Sequence, residues 1–184
     1  MRLTHWEYVF NLHTRNLGDE IREDENPFTG EPTQFHVDLG LTPDEIAAIK
    51  VAFDRHEVAF DRREFEGLAP FSEGYVAYGA GGDSLRFRCA DLDEIHSFPI
   101  TGMSVDIVVR QLLDEYLEIV LDVASSGNLL LMDGYSDPVL TIDEEPSAKI
   151  LARWPYSRSI RTIDELRSWI ENEVGGRRVY TPSI

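Results

Sequence analysis

The stretch that decides the fold is the longest apolar segment of the chain, residues 105–124, which read VDIVVRQLLDEYLEIVLDVA. Its polar side chains fall on one narrow stripe at helical spacing: Asp106, Arg110, Gln111, Asp114, Glu115, Glu118 and Asp122. All other positions carry Val, Ile, Leu, Tyr or Ala. A stripe this narrow is typical of a helix that packs on several sides. We therefore predict a long central helix over residues 105–124, in which Arg110 pairs with Asp114.

The sequence gives no indication of a membrane protein. The six charged side chains within residues 105–124 are incompatible with a bilayer span. The first residues, MRLTHWE, contain neither an uninterrupted apolar run nor the small-residue cleavage site of a secretory signal. We therefore expect a cytoplasmic protein that has no membrane partner.

Strand and helix patterns alternate along the rest of the chain. Strands are predicted at residues 6–12, 34–39, 74–78, 85–89, 129–132 and 139–142, with weaker patterns at 149–154 and 177–180. Capping boxes predict helices that begin at Thr42 and Thr162, the first running on past Phe60 to Glu64. Residues 18–31 are strongly acidic and contain turn sequences, which indicates a surface loop.

The order of these elements predicts the fold class. The strands come mostly in pairs joined by short turns, with helices between the pairs. This arrangement favours one α+β domain over residues 1–184, with a mostly antiparallel sheet and about three helices, including one central buried helix. A chain of 184 residues with 42% hydrophobic content can bury a sizeable core without a disulfide or a metal.

Two local motifs have structural explanations. The glycine cluster at residues 79–82 is followed by a strand pattern and not by a helix, so it indicates a hairpin turn and not a dinucleotide-binding loop. Cys89 is the only cysteine, and it alternates with polar residues along that strand pattern. We expect its thiol to be buried in the core and unreactive.

The charge of the chain is the main indication of its partners. There are 34 Asp and Glu residues against 17 Lys and Arg residues, which gives a formal net charge of -17. So negative a surface repels nucleic acid and anionic lipid and attracts basic proteins. Only Lys50 and Lys149 are lysines, so a GC-rich genome or adaptation to salt is an alternative explanation for the composition. In that case the chain is a cytoplasmic domain whose acidity has no specific role.

No catalytic or metal-binding motif stands out in the sequence. A second hypothesis is a metal-dependent or carboxylate-based hydrolase whose site assembles from distant residues. It predicts a deep pocket that holds at least two of a defined set of side chains: His5, His36, His56, His96, Asp91 and Asp93. His5 and His36 are expected on the polar faces of two strands. The sequence itself predicts no catalytic residue, no metal ligand and no cofactor.

The first hypothesis is therefore a small acidic interaction module that binds a basic protein, with neutralisation of a toxin as its most concrete form. Clustered carboxylates would speed the encounter with Lys and Arg on the partner. Exposed aromatic rings would anchor the interface. The residues predicted to bind the partner are Asp91, Asp93, Glu94, Asp114, Glu118, Asp122, Tyr135 and Trp154.

Overall fold

The computed structural model describes residues 3–25, 30, 32–61, 74–134 and 138–181. Within them the chain forms a single α+β domain with a mostly antiparallel sheet, which confirms the predicted fold class. The strands are β1 (Leu3–Thr14), β2 (Leu17–Glu25), β3 (Pro32–Asp38), β4 (Ala59–Phe60), β5 (Gly74–Tyr78), β6 (Ser84–Arg88), β7 (Gly102–Val109), β8 (Leu129–Met132), β9 (Leu140–Ile142), β10 (Arg158–Ile160) and β11 (Arg177–Thr181). The helices are α1 (Pro43–Arg55), α2 (Asp114–Ser126), α3 (Ala148–Arg153) and α4 (Ile163–Trp169), and a π-helical turn (Ile170–Val174) extends α4.

The main sheet has the strand order β10-β9-β8-β1-β7-β6-β5-β4, and β11 also pairs with β1. Its pairs are antiparallel, apart from the parallel pair of β9 and β10. Strands β2 and β3 form a separate antiparallel hairpin. No helix in these ranges is both long enough and apolar enough to cross a membrane.

Strand β1 is the centre of the main sheet. One edge pairs with β7 from Trp6 to His13. The other edge pairs with β11 near its start and with β8 near its end. Because side chains alternate along a strand, Phe10 and Leu12 enter the core under the helices, whereas Asn11 and His13 lie on the opposite face.

Helices α1, α2 and α4 cover one face of the sheet. The capping boxes predicted at Thr42 and Thr162 are both present at the starts of α1 and α4. Phe53 of α1 stacks on Tyr75 with ring centroids 4.5 Å apart, and Trp169 of α4 meets Phe10 edge-on at 5.4 Å. The core under these helices also contains Cys89, which is 2% exposed, so its predicted burial is confirmed.

The opposite face is covered only in part by apolar packing. A second cluster of buried side chains lies there beside β8 and α3: Leu17, Leu130, Met132, Val139, Ile150 and Trp154. Strand β8 is therefore buried on both faces, which explains its continuous apolar sequence. Beside β7 and β6 this face carries polar side chains instead, among them Arg88, Ser104 and Asp106.

The predicted helix over residues 105–124 is wrong in its first half. Residues up to Val109 belong to β7, with Val105 and Ile107 on the core face, and α2 begins only at Asp114. The β-branched residues at 105, 107, 108 and 109 favour an extended chain, and β1 and β6 bury both edges of the strand. The second half is the predicted central helix, shortened to residues 114–126.

Three other boundaries also differ from the prediction. Residues 18–25 of the loop predicted at 18–31 belong to β2, because pairing with β3 satisfies their backbone, and residues 26–29 and 31 lie outside the described ranges. Residues 148–153 form α3 and not a strand, since Ser147 caps the first turn. Helix α1 ends at Arg55, where Glu57 adopts a left-handed φ of 55° and turns the chain into β4. Residues 62–64 lie outside the described ranges.

Gly102 sits where β7 approaches β1 too closely for a side chain. A Cβ atom at this position would lie 2.2 Å from the carbonyl oxygen of Leu12. We expect Gly102→Ala to lower the free energy of unfolding by roughly 1–3 kcal/mol, the usual cost of overpacking, as measured by urea denaturation. At Gly18 the nearest atom is a Leu39 side-chain carbon at 3.1 Å, which can shift. Gly18→Ala is the control, and an equal loss in both variants would contradict the steric explanation.

Candidate protein-interaction site

Residues 91–99 form a compact surface loop, hereafter the 91–99 loop, that is fastened at one end to β5 and at the other to the segment between β3 and α1. Leu92 is 6% exposed, and its backbone N–H donates a hydrogen bond of 3.0 Å to Oη of Tyr75. Burial raises the pKa of Tyr75, so the phenol stays neutral. Beyond the other end, the carbonyl oxygen of Ile100 accepts from the N–H of Leu41 at 2.8 Å. The loop is therefore held in one position.

The side chain of Asp91 organises the interior of the loop. Its Oδ1 accepts from the N–H of Asp93 at 2.9 Å, which is an Asx turn. The carbonyl oxygen of Asp91 accepts from Nε2 of His96 at 2.7 Å. The His96 ring in turn lies 5.3 Å from the ring of Phe98. Asp91 thus shapes the loop, and its carboxylate is used in doing so.

The tip of the loop exposes apolar side chains beside acidic ones. Ile95 is fully exposed and Phe98 is 58% exposed. The side chains of Asp93 and Glu94 are exposed between Asp91 and Ile95, and Asp93 forms an ion pair with Lys50 of α1. Exposed Leu39 lies close by, because the backbone at Gly40 packs against Pro99. Large apolar side chains clustered at a surface commonly mark an interaction site, and here the surrounding charge is negative.

The predicted acidic stripe of α2 is used mainly for contacts between helices. Asp114 pairs with Arg167 of α4 and not with Arg110. Asp122 accepts from Arg55 at 2.5 Å and from His56 at 2.8 Å. Glu118, between them, is exposed and forms no ion pair with any part of the chain that the structure describes. The stripe therefore offers two exposed carboxylates without an ion pair in the described structure, Glu115 and Glu118, and not a continuous acidic surface.

The two aromatic anchors predicted from the sequence do not contribute to this site. Trp154 is not exposed: it is 5% accessible within the second cluster, and the Arg153 guanidinium lies 4.4 Å above its ring. The expectation of an exposed Trp154 was wrong because α3 turns its C-terminal residue onto β8. Tyr135 lies outside the described residues.

The six side chains proposed for a hydrolase do not converge in one pocket. His5 lies on the face of β1 opposite Tyr8 and Phe10, but it is fully buried there and contacts Asp83 at 3.2 Å. His36 contacts the backbone of Gly18 within the hairpin, and its strand pairs with β2 and not with β1. Across residues 3–25, 32–61, 74–134 and 138–181, no three His, Cys, Asp or Glu side chains meet in a way that could hold a metal ion.

The sequence analysis missed Ile95 and Phe98. Both lie in an acidic segment whose sequence has neither strand nor helix periodicity. The available signal was an isolated pair of large apolar residues in a segment with no strand or helix to bury them. His13 and Asp38 were also missed, because only the tertiary structure brings their side chains together.

The β2–β3 hairpin is held against β1 and α3 by a cluster of charged side chains. Asp38 of β3 contacts His13 of β1 and Arg153 of α3. Asp38 lies 3.2 Å from Nε2 of His13 and 2.9 Å from Nη1 of Arg153. Burial alone would raise the pKa of Asp38, but hydrogen bonds and charges from His13 and Arg153 outweigh it and lower the pKa. The carboxylate is therefore stabilised in its ionised form.

The chain matches no protein-family model, and no significant similarity links it to a curated protein or to a solved structure. Its function must therefore be inferred from its own residues.

Asp38→Asn should weaken the attachment of the β2–β3 hairpin to β1 and α3. The resulting loss of stability should be seen at neutral pH and should disappear in acid. The pKa of Asp38 is lower in the folded state than in the unfolded state, so its carboxylate stabilises the fold at pH values above the unfolded-state pKa of about 3.9. This stabilisation is lost as the pH falls through the folded-state pKa. We expect a loss of about 2 kcal/mol at pH 7, shrinking below pH 4, in urea denaturation from pH 3 to pH 7. Asp19→Asn is the control, because Asp19 is 97% exposed and pairs only with Lys149. An equal pH dependence in both variants would disprove the assignment.

Tyr75→Phe should loosen the 91–99 loop without disturbing the core, because it removes only the oxygen that accepts from Leu92. We expect a loss of about 1 kcal/mol in stability and faster hydrogen exchange at the amides of residues 92–94. Tyr78→Phe is the matched control, since Tyr78 is 63% exposed. If exchange in the loop is unchanged in Tyr75→Phe, the hydrogen bond does not fasten it.

Proposed function

We propose that this protein is an acidic interaction module that binds a basic protein partner through the 91–99 loop. The observation that carries the proposal is the exposure of Ile95 and Phe98 on a fastened loop beside Asp93 and Glu94. An apolar centre bordered by charged residues is the common anatomy of a protein interface. The acidic border selects a partner that carries Lys or Arg around an apolar depression.

The fastening of the loop supports its use in binding. A loop held at Leu92 and Ile100 loses little conformational freedom when a partner docks, so less of the binding energy is spent on ordering it. Ile95 makes almost no intramolecular contact with its side chain, and its exposure has no evident benefit for folding. Binding would bury it.

The net charge of -17 supports the same kind of partner at longer range. Attraction between oppositely charged proteins raises the rate of association and depends on ionic strength. The apolar contacts at Ile95 and Phe98 would then set the rate of dissociation. The surface charge would thus govern the rate of association, and the apolar side chains of the loop would govern the rate of dissociation.

Neutralisation of a basic toxin is the most specific form of this proposal. A nuclease must attract a polyanion, so its active-site surface is basic. An acidic module with an apolar loop can cover such a surface and compete with the nucleic acid. The support for this form is the complementarity of charge.

The 91–99 loop can be tested by affinity capture with matched variants. Immobilised wild-type protein, Ile95→Ser/Phe98→Ser and Asp93→Lys/Glu94→Lys are incubated with lysate of the source organism, and bound proteins are identified by mass spectrometry. We expect the wild type to capture a basic protein and both loop variants to bind it at least about 30-fold more weakly, the effect of losing about 2 kcal/mol at a hot spot.

Asp164→Lys/Glu171→Lys is the control, because it makes the same change in charge at two exposed carboxylates that are not predicted to bind the partner. It should slow association slightly and otherwise retain the partner. Retention by both loop variants, or capture of no basic protein, would refute the proposal. For the toxin form, co-expression with the captured protein should rescue growth with the wild type and not with Ile95→Ser/Phe98→Ser.

A further inference from the structure

A hollow of about 280 Å³ opens on the polar side of the main sheet, next to the 91–99 loop. Its floor is formed by β1 and β7 around Asn11 and Ser104, and residues 98–101 form one wall. Gly102 has no side chain to fill it. A cavity of about 150 Å³ holds one benzene molecule, so this hollow is large enough for a small organic ligand.

The charge of its lining is opposite to that of the chain. Arg88 and His13 line the hollow, and no carboxylate does so among the described residues. A second hollow of about 240 Å³, by comparison, is lined by Asp143, Glu144 and Arg15. In a protein with twice as many acidic as basic residues, a lining that excludes carboxylates favours an anionic ligand.

Arg88 is held at the edge of the hollow by a buried carboxylate. Its Nη2 contacts Oδ2 of Asp106, whose side chain is 1% exposed, while the Arg88 side chain stays 28% exposed. Burial, followed by the charge of Arg86, lowers the pKa of Arg88. The contact with Asp106 orients the guanidinium and leaves other N–H donors for a ligand.

Two neutral hydrogen-bonding groups lie beside Arg88. In the sheet register Ser104 is opposite both Arg88 and Asn11, so the three side chains form a row across three strands. The hydroxyl of Ser104 makes no hydrogen bond within the described part of the chain. His13 lies two residues beyond Asn11 along β1, on the same face. Asp38 contacts its Nε2 and fixes the ring.

The rest of the lining is apolar. Met132 is buried in the floor and Phe98 stands at the wall, whereas the side chain of Met103 lies on the helix side of the sheet with Val105. An apolar lining with a few convergent polar groups is typical of small-molecule sites. A bare phosphate would leave these walls without a contact, whereas an acid with a hydrocarbon body would cover them.

We propose that this hollow binds a small organic carboxylate, with the carboxylate against Arg88 and Ser104 and the apolar body against Met132 and Phe98. A guanidinium and a carboxylate form charge-assisted hydrogen bonds, which are about twice as strong as neutral ones. Repulsion by the net negative charge is spread over the surface and screened beyond about 8 Å at physiological ionic strength. The proposal does not rest on partner binding by the 91–99 loop, although Phe98 belongs to both surfaces.

Titration of ¹⁵N-labelled protein with benzoate tests the site directly, with benzamide and benzylamine as probes of the same shape. We expect benzoate to bind with a millimolar or lower Kd and to shift the amides of residues 11–13, 88–90 and 100–104. Benzamide and benzylamine should bind at least tenfold more weakly. No binding of benzoate at 20 mM, equal binding of the three probes, or shifts elsewhere on the protein would overturn the proposal.

Ser104→Val keeps the Arg88–Asp106 contact and narrows the hollow with a residue that suits a strand. It should weaken benzoate binding at least tenfold, whereas Ser125→Val, at the second hollow, should not. Arg88→Gln should abolish binding, but it leaves Asp106 unpaired and can unfold the protein, so Ser104→Val is the decisive variant. Unchanged affinity in Ser104→Val would refute the site. Capture of a basic protein by the 91–99 loop would be unaffected by that outcome.

Discussion

The structure depends on the burial of both edges of β1. A strand paired along its whole length, with β7 on one side and β11 and β8 on the other, cannot slip by one residue without exchanging its two faces. Tyr8, Phe10 and Leu12 must face the helices, so Asn11 and His13 must face the other side. The apolar core and the polar hollow are therefore two consequences of one register.

The surplus of negative charge has little part in holding the fold together. Most described lysines and arginines form a contact with one carboxylate, and many of these pairs lie at the surface: Lys149 with Asp19, Arg22 with Glu20, Arg161 with Glu145 and Lys50 with Asp93. Such pairs contribute little to stability. Because there are twice as many acidic residues as cations, such pairing leaves a net negative surface whose effect is felt by other molecules.

The sequence predicted those parts of the fold that local chemistry determines. Thr42 and Thr162 begin helices because their own hydroxyls accept hydrogen bonds from residues three positions on. The glycine cluster at 79–82 forms the β5–β6 turn because Gly81 and Gly82 adopt positive φ angles. Neither feature needs a distant partner, and both could be recognised from four or five residues.

The parts that could not be predicted depend on distant neighbours. Asp106, Arg110 and Asp114 are spaced four apart, which is also the spacing of a helix stripe. Their actual partners are Arg88, Asp83 and Arg167, each from a different element. The candidate sites pose the same problem. The acidity of residues 91–94 was visible in the sequence, but the fastening of that loop by Tyr75 was not.

Phe98 connects the two surfaces for which binding is proposed. Part of its ring forms the wall of the hollow, and the remainder is presented to solvent at the tip of the loop. Its position is set by the anchors at Leu92 and Ile100 and by the ring of His96, 5.3 Å away. A change that releases either anchor therefore alters the shape of the hollow and the apolar surface of the loop together. A change within the hollow floor, at Ser104, leaves the loop in place, which is why the two surfaces can be separated by substitution although they share a side chain.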